Sequence, residues 1–168
     1  AIDFVRNRVI PIFKMWKKEQ RRNISKDIED RALCLMRRNN YSAAADILHK
    51  GLEQLMNFEE TDSHDLAALT YLLAKGFMVL AKWSAAESCL YRVDEIYSYA
   101  GDDTGAAMVY EDLSIVFEGQ GRTEEAREMK GRAEEVYAIQ AALHDDEDCD
   151  QHNDDDIDDD LSDLEEDT

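Results

Sequence analysis

Apolar and small residues recur at three- and four-residue steps along most of the chain, the spacing that lines one face of an α-helix. Tyr110, Leu113, Ser114 and Phe117 fall at i, i+3, i+4 and i+7; Leu73, Ala74 and Phe77 repeat part of that pattern upstream, as do Ile28, Ala32 and Leu35. Each run ends at a short polar or small turn, and a second amphipathic run follows. The pattern predicts helices at about 12–22, 24–39, 41–57, 64–81, 83–100, 103–119 and 123–141. Asp102, Asp103 and Thr104 can cap one of them, and Thr61, Asp62 and Ser63 another. The single proline, Pro11, lies ahead of them all.

The pattern also repeats. The segments "RRNNYSAAADILHKGLEQL", "VLAKWSAAESCLYRVDEIY" and "FEGQGRTEEAREMKGRAEEVY" each have a polar or small turn, then two residues, then an alanine, at Ala44, Ala86 and Ala126. The intervals are 42 and 40 residues, and "YSAAA" and "WSAAE" are nearly one phrase. Tyr41, Trp83 and Thr123 take equivalent turn positions. Ala32, Ala74 and Ser114 before the turns, with Ala44, Ala86 and Ala126 after them, suit two antiparallel helices that approach closely. A repeat near this length is the mark of a stacked helical array.

The order Tyr110, Leu113, Ser114, Phe117, Gly121, Ala126, Ala133 resembles the tetratricopeptide repeat (TPR) consensus. The second copy matches at Leu73, Ala74, Phe77, Trp83 and Ala86 and departs at Val93; the first matches at Ala32, Tyr41 and Ala44 but has Arg31 in place of Leu. The family's usual period is about 34 residues. The longer interval here, with polar links such as "FEETDSHD" and "AGDDTG", is similar to the long-helix repeats of the kinesin light chain type. The resemblance covers residues 24 to 141 and implies an all-α fold, an antiparallel helix-pair solenoid of about three repeats plus an N-terminal basic capping helix. It further implies a concave groove, lined by the first helix of each pair, that binds a peptide or partner helix. Carried over position by position, the groove wall holds Lys26, Glu29, Leu33, Met36 and Arg37, then Tyr71, Leu72, Lys75, Met78 and Val79, then Met108, Glu111, Asp112, Ile115 and Glu118. Of these, Lys26, Arg37, Tyr71, Lys75, Met78, Glu111 and Ile115 are the expected partner contacts. The family's carboxylate clamp needs basic and amide groups where this chain has Glu29, Leu33, Met108 and Asp112, so that activity is not expected.

Charge changes the picture at the two ends. Of a net charge of −20, fifteen acidic residues and no Lys or Arg lie between Asp145 and Thr168, leaving −5 for the rest. Ala1 to Arg22 carries seven Lys and Arg against Asp3 and Glu19. The expected organisation is therefore a basic amphipathic helix at 1–22, the repeats at 23–143 and a disordered, coil-rich acidic tail at 144–168. Like charges repel in that tail, and it has too little apolar surface to offset chain entropy. It suits an electrostatic arm for a basic protein such as a histone, or for the chain's own basic head. Ile157, Leu161 and Leu164 at i, i+4 and i+7 would form the apolar side of a short helix on such a partner, and Ser162 with Glu165 matches an acidophilic-kinase site. "VRNRVIPIFKMWKKEQRR" reads either as the cap of the first repeat or as a membrane-surface, calmodulin-target-like or presequence helix. Transit peptides are rich in Ser and Thr, which this stretch lacks.

Chemistry adds little. Asp154, Asp156, Asp158 and Glu165 have calcium-loop spacing, but Asp159 replaces the required glycine. His144, Cys149 and His152 lack a zinc framework. No metal site, cofactor motif, phosphate-binding loop or nucleophile–base pair is recognised, and no enzyme is expected. Cys34, Cys89 and Cys149 show no CxxC spacing; for the two in helical patterns, buried reduced thiols in a reducing compartment are expected. No apolar run approaches the length needed to span a membrane, and "FVRNRVIPIF" is too interrupted by arginine for a signal-peptide core. The expectation is an intracellular adaptor, cytoplasmic or nuclear, with a protein or peptide partner and no direct nucleic-acid contact. An acidic-tail chaperone for basic proteins is the second reading.

Overall fold

A computed structural model describes residues 10–57 and 63–147, which form six helices: α1 (Ile10–Arg37), α2 (Tyr41–Met56), α3 (Ser63–Val79), α4 (Trp83–Ala100), α5 (Asp103–Gly119) and α6 (Thr123–Glu147). Each packs against its neighbour in sequence, and α1 also touches α3. The fold is all-α, with six packed helices arranged as three TPR-like pairs.

The three turns within the pairs are built alike. Asn39, Ala81 and Gly121 adopt left-handed backbone with φ of 58°, 54° and 78°. The next residue's amide then reaches back five positions: Asn40 N–H donates to the Leu35 carbonyl (2.9 Å), Lys82 to Phe77 (2.9 Å) and Arg122 to Phe117 (2.8 Å). This closure satisfies the carbonyls that a helix end leaves open. The amides of Ala44, Ala86 and Ala126 then bond to the carbonyls of Asn40, Lys82 and Arg122 and start the second helix of each pair. The 42- and 40-residue intervals of the sequence are thus intervals between copies of one hydrogen-bonded turn. The Asn40 side chain accepts from Ala43 N–H (3.3 Å), and Asp102 Oδ1 from Gly105 N–H (2.9 Å), as N-caps do.

Small residues sit where helices close on one another. Ala32, Ala44, Ala74 and Ala86 are fully buried, and Ala126 and Ser114 nearly so. The Gly51 backbone lies against Ile28, and the Trp83 ring lies against Gly119, so close that a methyl group at Gly119 would stand 2.6 Å from the ring. Two apolar clusters form the core. Ile28, Leu48, Leu52, Leu55, Leu69 and Leu73 make one, and Leu90, Val93, Val109, Leu113, Val116 and Phe117 lead the other. Phe77 and Cys89 pack against both, so burial is continuous along the stack while each helix touches only near neighbours. Each fully buried Leu or Phe contributes about 1.5–3 kcal/mol relative to exposure.

Three expectations are corrected. The separate helices expected at 12–22 and 24–39 are one helix, α1, of 28 residues. "EQRRNISKD" has no Gly or Pro, and a lone Asn23 disfavours helix by less than about 1 kcal/mol, too little to end it. The basic residues from Lys14 to Arg22 therefore lie on an extension of the first repeat helix. At the other end α6 runs past residue 141 to Glu147, because "AALHDDE" also has no helix breaker. Cys34 is exposed instead of buried; Cys89 is half-buried, and burial raises its thiol pKa. Thr61, Asp62, Cys149 and the segment 148–168 lie outside the described residues.

Candidate partner-binding groove

The first helices of the three pairs, α1, α3 and α5, lie side by side, with the Met36 methyl beside Gly76 and the Lys75 side chain reaching α5. At the centre, Lys75 Nζ donates to Asp112 Oδ1 at 2.6 Å. The two ends of this pair differ in setting: the Asp112 side chain is 5% exposed and that of Lys75 42%. Asp112 Oδ2 is buried without a hydrogen-bond partner among the described residues. Asp112 is thus an anion held inside the stack by one cation at its rim. Lys75 also lies over the Tyr71 ring, 5.2 Å from its centroid, within cation–π range. Burial first, and then the neighbouring Asp112 carboxylate, push the Tyr71 hydroxyl far above the usual tyrosine range.

The other expected contacts surround this centre. Ile115 is 48% exposed, one turn from Glu111, which is exposed and accepts from the Tyr137 hydroxyl of α6 at 3.3 Å. Met78 is half-buried and packs partly on the core. Met108 and Val79 are exposed. Lys26 and Arg37 are both exposed on α1; eleven residues apart, they share a stripe about 16 Å long. The structure brings Tyr71 and Lys75 together with Asp112. Among the described residues, no hydrogen bond or ion pair joins Lys26 or Arg37 to that group. Ile157, Leu161, Leu164 and Ser162 lie outside the described residues.

Two arrangements were not foreseen. Asp112 is recognisable in the sequence as a groove carboxylate, but nothing local shows that it is buried, because its cation is 37 residues away. The second is at the third turn. Arg122 donates to Glu87 (3.0 Å), to the Gln120 side-chain oxygen (2.8 Å) and to Glu125, and its guanidinium stacks 4.3 Å from the centroid of Phe117. Gln120 Nε2 donates to Glu87 as well (2.9 Å), so α4 is tied to the α5–α6 turn.

Among the described residues, no group of three or more His, Cys, Asp and Glu is placed to hold a metal ion, and no helix is long and apolar enough to cross a membrane. No family model and no curated protein sequence matches the chain. In fold it is similar to BtubC (BKLC) from P. vanneervenii, a TPR protein, whose crystal structure superposes with a TM-score of 0.58 at 16% identity, covering 71% of this chain and 52% of that one. The chain spans about half the length of BtubC. At this identity the likeness concerns the fold alone, a stack of TPR-like helix pairs.

Proposed function

We propose that the chain is a non-catalytic adaptor whose groove, along α1, α3 and α5, binds a peptide or partner helix through Lys26, Arg37, Tyr71, Lys75, Met78, Glu111 and Ile115. The observation that carries this reading is the uncovered apolar surface on those helices, Val79, Met108 and Ile115, beside the internally neutralised Lys75–Asp112 pair. By contrast α6 covers the end of the stack with intrahelical ion pairs, Glu124–Arg127 and Glu128–Arg132. Unbranched Met and half-buried Tyr accommodate varied apolar anchors. The groove is also polar along its length, with Lys26 and Arg37 at the first repeat and Glu111 and Glu118 at the third. A fitting helix is acidic where it meets α1 and basic where it meets α5. The likeness in fold to BtubC (BKLC) supports TPR-like repeats, and the setting proposed for the adaptor is intracellular, cytoplasmic or nuclear.

The test is affinity capture with the full chain and with Ile115→Asp, an exposed position that leaves the helix content unchanged. Loss of the principal partner in the variant, with retention by the parent in high salt, supports the groove. A basic partner unaffected by Ile115→Asp but released by salt would favour the second reading. The fifteen carboxylates between Asp145 and Thr168 motivate it: an acidic arm that chaperones basic proteins.

A further inference from the structure

Two helices are longer than their counterparts. Helix α1 has 28 residues against 17 in α3 and in α5, and α6 has 25 against 16 in α2 and 18 in α4. The extra length of α1 is at its N-terminus: no residue from Ile10 to Gln20 is buried, and burial starts at Arg21. Eleven residues extend about 16 Å beyond the stack. The extra length of α6 is at its C-terminus, where Ile139 and Leu143 are exposed. Because α1, α3 and α5 run side by side and α6 returns antiparallel to α5, with Gln140 reaching back to Thr104 and Tyr137 to Glu111, both projections leave the same end of the stack.

The α1 projection is two-sided. Lys14, Lys18 and Arg21 stand in line with Ser25, Ile28 and Ala32 at alternating four- and three-residue steps. They therefore continue the side of α1 that faces the core, turned over the end of the stack from which α6 emerges. Phe13 and Trp16, stacked at 5.9 Å between ring centroids and more than half exposed, lie on the far side with Ile12. Further along α1 that far side is polar, with Asn23, Asp27 and Asp30 exposed, so the apolar stripe is confined to the projection. From Lys14 to Arg22 there are five cations against Glu19.

We propose that the segment 148–168 of the same chain docks along the basic side of the α1 projection. That segment holds twelve carboxylates and no Lys or Arg, the complement of a cationic stripe. Its twenty-one residues reach about 70 Å when extended. The lateral step from α6 across α5 and α3 to α1 is about 30 Å at ordinary helix spacing, so the segment can cross and still lie along the stripe. A basic protein then competes with the chain's own projection for the acidic segment, and an anionic surface competes with the acidic segment for the projection.

Carbodiimide coupling, which joins Lys to Asp or Glu at contact distance, tests this on the full chain. The expected result is coupling of Lys17 and Lys18 to residues 154–167, independent of protein concentration and well above coupling of the same segment to the exposed Lys50 and Lys130. Raising salt from about 0.05 to about 0.5 M, which shortens the screening length several-fold, cuts these links about fivefold. In Lys18→Glu/Arg22→Glu, links through Lys17 fall comparably; both positions are exposed, so the fold is kept, and unchanged circular dichroism checks this. Even coupling across Lys17, Lys50 and Lys130 would overturn the proposal. So would links that scale with concentration, or capture of the parent chain through α1 by phosphatidylserine vesicles with no Lys17 links in their absence.

Discussion

Three residues carry the left-handed turns within the helix pairs, and they are not equally suited to them. A β-carbon in left-handed backbone costs about 1–2 kcal/mol, which Gly121 avoids and Ala81 does not. Ala81→Gly is expected to raise, and Gly121→Ala to lower, the free energy of urea unfolding by about 1 kcal/mol each. At Gly119 the limit is space: the Trp83 ring must shift to admit a methyl group, so Gly119→Ala destabilises by about 1–3 kcal/mol in the same assay. Lys75→Met keeps the stem of the side chain but leaves the Asp112 carboxylate buried without its cation; the expected loss is about 1–3 kcal/mol, and Lys75→Met/Asp112→Leu recovers part of it. Tyr71 sets an alkaline limit. Its folded pKa lies above the unfolded value, so its contribution is complete below about pH 10 and is lost as the unfolded chain alone begins to deprotonate. Urea midpoints between pH 9 and pH 11 are expected to fall with rising pH, and less steeply in Tyr71→Phe. The sequence shows such features unevenly. A glycine at position 121 advertises a left-handed turn, whereas Asn39 and Ala81 do so only through their place in the repeat. The burial of Asp112 depends on α3 and α5 coming together and has no local signature.

At the scale of elements, helix periodicity and the recurrent alanines made most of the fold legible. Helices α4 and α5 begin and end where the spacing puts them, because Trp83 and Asp103 follow turns and the left-handed Gly101 and Gly121 close them. The boundary inside α1 was misplaced for a physical reason. A change of charge along a chain is not a change of backbone, and without Gly or Pro the helix continues through Arg22 and Asn23. What a helix packs against is a separate matter, and there the halves of α1 differ. Residues 10–20 are all exposed, while Ile28 and Ala32 are in the core. Hydrogen exchange is expected to be faster across 12–19 than across 26–34 by about 10²-fold or more, since opening the projection exposes no core. Raised salt widens that gap if the acidic segment shields the projection. Equal protection of the two halves at all salt concentrations would contradict the packing described.

At the scale of the whole molecule, charge and shape divide the work. The stack is a mildly acidic body with an uneven groove, and most of the net charge of −20 resides beyond residue 144. Composition made that asymmetry legible, and the repeat made the groove legible as a surface. The groove's partner was not, because TPR-like first helices vary freely in their exposed residues without altering the core that defines the fold. The central claim, that the α1–α3–α5 face receives a protein partner, is tested most directly by a photo-reactive amino acid placed at Ile115 in one full-length chain and at Tyr99 in another. Tyr99 is 95% exposed on α4, away from the groove. The account predicts that, in extract at about 0.5 M salt, where exposed charge attraction is screened, Ile115 couples to a discrete protein and Tyr99 does not. Coupling at Tyr99 alone, or at neither position while a basic protein is held only in low salt, would contradict it.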